Sequence, residues 1–127
     1  MSPQHARKRR VLLGNLEPMV RLGMSKVLTD EGVEVVAEEG QPDDVVAHAR
    51  RLHPDAVVLA LDGGNSRELG EQVRAAAPDT KVILWARDET EMEVFDPGSS
   101  APRTIRTSVS GALRSEVGAE KPQEEGQ

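Results

Sequence analysis

The sequence predicts an α/β fold, a doubly wound parallel sheet of five strands in one domain, and three observations carry that prediction. The six-residue apolar run Ala56 to Leu61, led by Pro54-Asp55 and closed by Asp62-Gly63-Gly64, reads as a central strand buried on both faces. Strand and helix patterns alternate four times with short links between Arg10 and Ala86, the signature of βα units around a parallel sheet. The chain has 127 residues and no cysteine, enough for one core without disulfide staples.

Each element has its own signal. Residues 1–9 lack an apolar period and read as a basic mobile arm. Val11-Leu12-Leu13, stopped by Gly14-Asn15, is a buried first strand. Pro18 suits the first helical position, with Glu17 near the positive terminus. Val20, Met24, Val27 and Leu28, with Met19 as a further candidate, form the inward face of that helix, which Asp30-Glu31-Gly32 stops. Leu22 falls on the opposite side and is expected to be exposed.

Val33 to Glu39 alternates in part, as suits a strand near a sheet edge. A second helix restarts at Pro42, with Asp43 and Asp44 in its first turn and Val45, Val46, Ala49 and Leu52 inward. Asn65 or Ser66 can cap a third helix carrying Leu69, Val73 and Ala76 inward, and Pro78-Asp79 ends it. Lys81 to Ala86 is another continuous apolar strand. Beyond Ala86 the pattern degrades: Glu89 to Phe95 reads as two turns of helix, residues 97–102 as irregular chain, and Arg103 to Arg106 as a short last strand. Ser108 to Val117 reads as a final helix, so the domain is expected to span 10–117. The acidic stretch 118–127 is expected to be disordered.

Composition narrows the function classes. A net charge of −6 argues against nucleic acid as the partner of the domain body. The basic run Arg7 to Arg10 is a weak signal for nucleic acid or anionic lipid, since it has no amphipathic helix behind it. Trp85 and Phe95 are the sole aromatics, which removes stacking platforms for single strands or sugars. The absence of cysteine excludes thiolate chemistry and agrees with a cytoplasmic chain. The apolar run after the arm is too short for a signal peptide or a membrane span, so a soluble protein without membrane contact is expected. His5, His48 and His53 lack metal-ligand or triad spacing and are expected to face solvent, and Gly63-Gly64 matches no nucleotide-binding fingerprint.

Several stretches together resemble the receiver domain of bacterial two-component response regulators, the subtype that usually precedes a helix-turn-helix output domain. The resemblance runs from about Arg10 to Ala86. It rests on the ungapped stretch Val11 to Met24, on Val35-Val36-Ala37-Glu38, on Pro54 to Leu59 and on Ala77 to Ile83. It implies a flavodoxin-like receiver fold with a degenerate C-terminal third.

It also implies a site that has lost its groups. Family members need an acidic pair after the first strand for Mg²⁺, a phosphoryl-accepting aspartate ending the third, a hydroxyl residue ending the fourth and a lysine ending the fifth. Here those positions align with Asn15 and Leu16, with Ala60 and with Ala86, while the lysine position is unsettled, with Arg106 as its candidate. Asp62 is the alternative phosphoacceptor. It lies two residues past the aligned position, about 6 to 7 Å along a strand. Trp85, beside Ala86, is expected to fill volume near the old switch.

The expectation that follows is a stand-alone pseudo-receiver: not an enzyme, with no cofactor and no metal. It would act as a phosphorylation-independent signalling module through a protein partner or a homodimer. Its expected contact surface holds Glu89, Glu91, Glu93, Phe95 and Arg106, and it takes in the acidic cluster Asp88 to Asp96, which has no cation within it. Two other readings stand beside it: a divergent response regulator phosphorylated on Asp62, and a small-ligand sensor at the carboxyl ends of the strands.

Overall fold

A computed structural model describes residues 9–60, 66–85, 92–99, 101–105 and 116. Its elements in chain order are β1 (Arg10–Gly14), α1 (Pro18–Asp30), β2 (Glu34–Glu39), α2 (Pro42–Leu52), β3 (Ala56–Ala60), α3 (Ser66–Ala76), β4 (Lys81–Trp85), β5 (Met92–Phe95) and β6 (Arg103–Ile105). They form one six-stranded sheet in the order β2-β1-β3-β4-β5-β6. The first four strands are parallel, and β5 runs antiparallel to both β4 and β6.

Alternation along each strand splits the core into two layers. Val11, Leu13, Val58, Ile83, Trp85, Met92 and Val94 face the layer closed by Met24 and Leu28 of α1. Leu12, Val57, Leu59, Val82, Leu84 and Phe95 face the layer closed by Val45 and Ala49 of α2 and by Leu69 and Val73 of α3. Helices therefore cover both faces of the sheet. Leu22 is 65% exposed, as its position on the helix predicts, but Met19 is 77% exposed and takes no part in the core.

The helix boundaries follow the local chemistry. Pro18 and Pro42 open α1 and α2 behind extended residues Glu17 and Gln41. After α1 the chain turns at Gly32, with φ +85°. At the end of α2, Arg10 Nη1 donates to the carbonyls of Leu52 at 2.8 Å and His53 at 3.3 Å, so a β1 side chain satisfies carbonyls the helix leaves open. Asp55 Oδ2 accepts the Arg10 amide at 2.8 Å, and Thr80 Oγ1 donates to the Pro54 carbonyl at 2.7 Å. These bonds tie the amino ends of β1, β3 and β4 together.

The carboxyl third departs from five parallel strands. Residues 92–95, expected as helix, form β5, pairing Trp85 with Met92 and Val82 with Phe95. The reason is geometric: only residues 86–91 separate the two strands, and a parallel crossover needs about a dozen residues or more. A link that short forces an antiparallel return. Within β5, Met92 and Val94 enter the α1 layer while Glu93 and Phe95 point to the α3 side, a period of two that no helix could satisfy.

Charged side chains from α3 lie over the β5 face that points to that helix. Arg67 donates through both terminal nitrogens to Glu93, at 2.6 and 2.7 Å. The Arg74 guanidinium lies 5.1 Å from the Phe95 ring centre and also donates to the Ser99 carbonyl. At the opposite edge Arg103 bridges Asp96 and Glu116, and Lys81 reaches Glu116 at 3.0 Å. Glu116 is helical, in keeping with the final helix expected over 108–117; the remainder of that segment, residues 1–8 of the arm and the tail 118–127 lie outside the described residues.

Candidate functional site

In an open α/β sheet the place for chemistry is the crevice at the carboxyl ends of the parallel strands, here the ends of β1, β3 and β4. Asn15 follows Gly14 in the left-handed region, φ 43°, a conformation its short amide side chain tolerates better than most residues. That turn aims the amide across the sheet. Asn15 Oδ1 accepts the backbone N–H of Ala60 at 2.9 Å, while the backbone N–H of Asn15 donates to the Glu39 carbonyl at 2.8 Å. One residue thus clamps β1 to β3 on one side and to β2 on the other.

The neighbouring positions are apolar. Leu16 is 4% exposed and belongs to the α1-side core together with Met24, Trp85 and Met92. Ala60 packs against the same cluster and stands opposite Trp85 in the β3–β4 register. Trp85 is 7% exposed, and its indole Nε1 is buried without a hydrogen-bond partner among the described residues. Trp85 therefore stands beside Ala60 across the β3–β4 pairing.

No carboxylate stands at Asn15, Leu16, Ala60 or Trp85, and among the described residues no cluster of three His, Asp or Glu could hold a metal ion. Among the described residues, the ends of β1 and β3 present one amide side chain and apolar groups. Ala86 and Asp62 lie outside the described residues, as do Glu89, Glu91 and Arg106.

The expected contact surface needs correction at the two members that are described. Glu93 is 7% exposed, with its carboxylate spent on Arg67, and Phe95 is buried in the core beneath Arg74. Both belong to the fold rather than to a free surface. Asp96, from the same acidic stretch, is likewise spent: hydrogen bonds from Arg103 hold its carboxyl below the usual range, and Arg103 does the same for Glu116. The sequence concealed these pairs because the cations come from other elements, Arg67 standing 26 residues from Glu93. The visible trace is that Arg67 and Arg74 are seven apart, one face of α3.

Comparison with known proteins meets this geometry. No family model matches the chain. It is 32% identical over 89 residues to the response regulator protein VraR of Staphylococcus saprophyticus, covering 68% of this chain and 43% of that protein. An uncharacterized transcriptional regulatory protein of Bacillus subtilis, YxjL, is 28% identical over 92 residues, covering 70% of this chain and 42% of its own length. The REC domain of AraT, a response regulator of Geobacillus stearothermophilus, superposes with a TM-score of 0.56 at 23% identity, over 65% of this chain and 68% of that domain. The domain is a response-regulator receiver. This receiver spans less than half the length of the curated relatives it matches. No helix among its described residues is long and apolar enough to cross a membrane.

Proposed function

We propose that this receiver is a pseudo-receiver, a signalling module that works by binding a protein partner and does not depend on aspartyl phosphorylation. The observation that carries the reading is the bond from the Ala60 amide to Asn15 Oδ1, with Leu16 buried beside it. Where a phosphorylatable receiver needs open carboxylates, this one has a closed amide clamp and core packing. Switching, on this reading, comes from a partner's preference between two arrangements of the domain.

A competing reading keeps the phosphoryl chemistry and places it on Asp62, two residues beyond Ala60 in sequence. The two are separated by Trp85 emission, because the indole lies opposite Ala60. Titration with Mg²⁺, and then with beryllofluoride as a phosphoryl mimic, leaves the emission of a pseudo-receiver unchanged. A saturable change that requires both reagents favours the competing reading.

A further inference from the structure

We propose that the groove between α2 and α3 docks one amphipathic helix of a protein partner, running antiparallel to both walls, acidic in its first turn and basic in its last. This rests on the protein-binding reading above and gives it a surface.

The groove has a volume of about 620 Å³. Asp43, Ala47 and Arg50 of α2 form one wall, at the i, i+4, i+7 spacing of a single helix face. Ala75 and Ala76 form much of the other. Alanine floors admit another backbone closely, and two helices that share a core layer, as α2 and α3 do through Val45, Ala49, Leu69 and Val73, leave a furrow shaped for a third.

The charges at its ends give the direction. Asp43 lies in the first turn of α2 and Arg50 in the last, seven residues or about 10 Å apart along the axis. Both are exposed, and among the described residues neither has an ion-pair partner, in contrast to Glu93, Asp96 and Glu116. Because α2 and α3 each return the chain between parallel strands, their carboxyl termini lie together at the Arg50 end. An antiparallel helix brings its positive terminus to those carboxyl ends. Acidic residues in its first turn then face Arg50, and basic residues in its last turn face Asp43. That distribution is also the one a helix favours for its own stability, so a single orientation satisfies dipoles and side chains together. A small polar ligand fits less well, since the two charges are exposed and stand at opposite ends instead of converging.

The test uses the full chain, isotope-labelled for NMR, and two stapled helical peptides of about sixteen residues, long enough to hold a helix. Both carry a Leu/Ala face; one has Glu in the first turn and Lys in the last, the other the reverse. The first is expected to shift the amides of Ala47, Ala75 and Ala76 saturably and to bind at least about tenfold more tightly than the second. The double variant Asp43→Lys/Arg50→Glu is expected to invert that preference. Equal binding of the two peptides, shifts centred on Met19 and Leu22 instead, or occupancy of the groove by a second copy of the chain would each overturn the proposal. None of these outcomes touches the question of phosphate uptake, which a separate mass measurement decides.

Discussion

Asn15 Oδ1 accepts the Ala60 backbone N–H at 2.9 Å, a bond between two residues that the family resemblance aligns with a metal-ligand position and the phosphoacceptor position of receivers. The contact joins the ends of β1 and β3 across the crevice where the family's chemistry takes place. Neither residue carries a carboxylate, and the bond between them makes the site part of the framework.

Asn15→Ala tests the clamp. It removes the acceptor from a part-buried amide, which costs about 1–3 kcal/mol, and it leaves a Cβ at φ 43° without the polar side chain that eases that conformation. Urea unfolding is expected to show both losses in Asn15→Ala and only the first in Asn15→Gly, which relieves the strain.

Glu93 is a buried carboxylate whose solvation is replaced by Arg67. Arg67→Met is expected to destabilise the domain by about 1–3 kcal/mol, because the carboxylate loses its charge-assisted partner while staying buried. Adding Glu93→Gln should recover part of that loss. A double-mutant cycle measures the coupling, and additive effects would show that the pair is not coupled.

Acid sensitivity should report the Arg103 network. The Asp96 and Glu116 carboxyls are held below their ordinary values first by hydrogen bonds from Arg103, with Lys81 adding to the effect. A depressed folded-state pKa contributes stability that is complete above the ordinary carboxylate range of about 4 and is lost as pH falls through the folded value. Stability is therefore expected to fall in acid below that range. Arg103→Gln should lower stability at neutral pH and flatten the acid limb, as read from thermal midpoints between pH 2 and 7 on a scale of about two pH units either side of the carboxylate range.

Gly14→Ala probes the other side of β1. A Cβ there would meet Val45 Cγ2 at 2.6 Å, between strand and helix. Overpacking of this kind costs about 1–3 kcal/mol, and the loss should shrink in a Gly14→Ala/Val45→Ala pair, which opens the space.

The first three βα units and β4 were legible because most of these strands are short apolar runs and each helix a clean stripe between Pro, Gly and Asp breaks. Period and punctuation are local, and these elements form locally. β5 was not legible. Its four residues follow an acidic stretch, and the deciding constraint is the length of the link from Trp85 rather than any preference of Met92 to Phe95. The residue types at Asn15, Leu16 and Ala60 could be read by alignment, but the bond between Asn15 and Ala60 joins residues 45 apart and exists only once β1 lies beside β3. For the same reason Glu93 read as surface: a carboxylate among carboxylates looks solvated until a distant arginine is folded onto it.

The central claim is that this receiver does not take up phosphate, and intact mass after incubation with acetyl phosphate and Mg²⁺ tests it most directly. The account predicts an unchanged mass for the native chain and for Asp62→Ala alike. A single phosphoryl adduct, mapped to Asp62 and abolished by Asp62→Ala, would contradict it and make the chain a working phosphoacceptor.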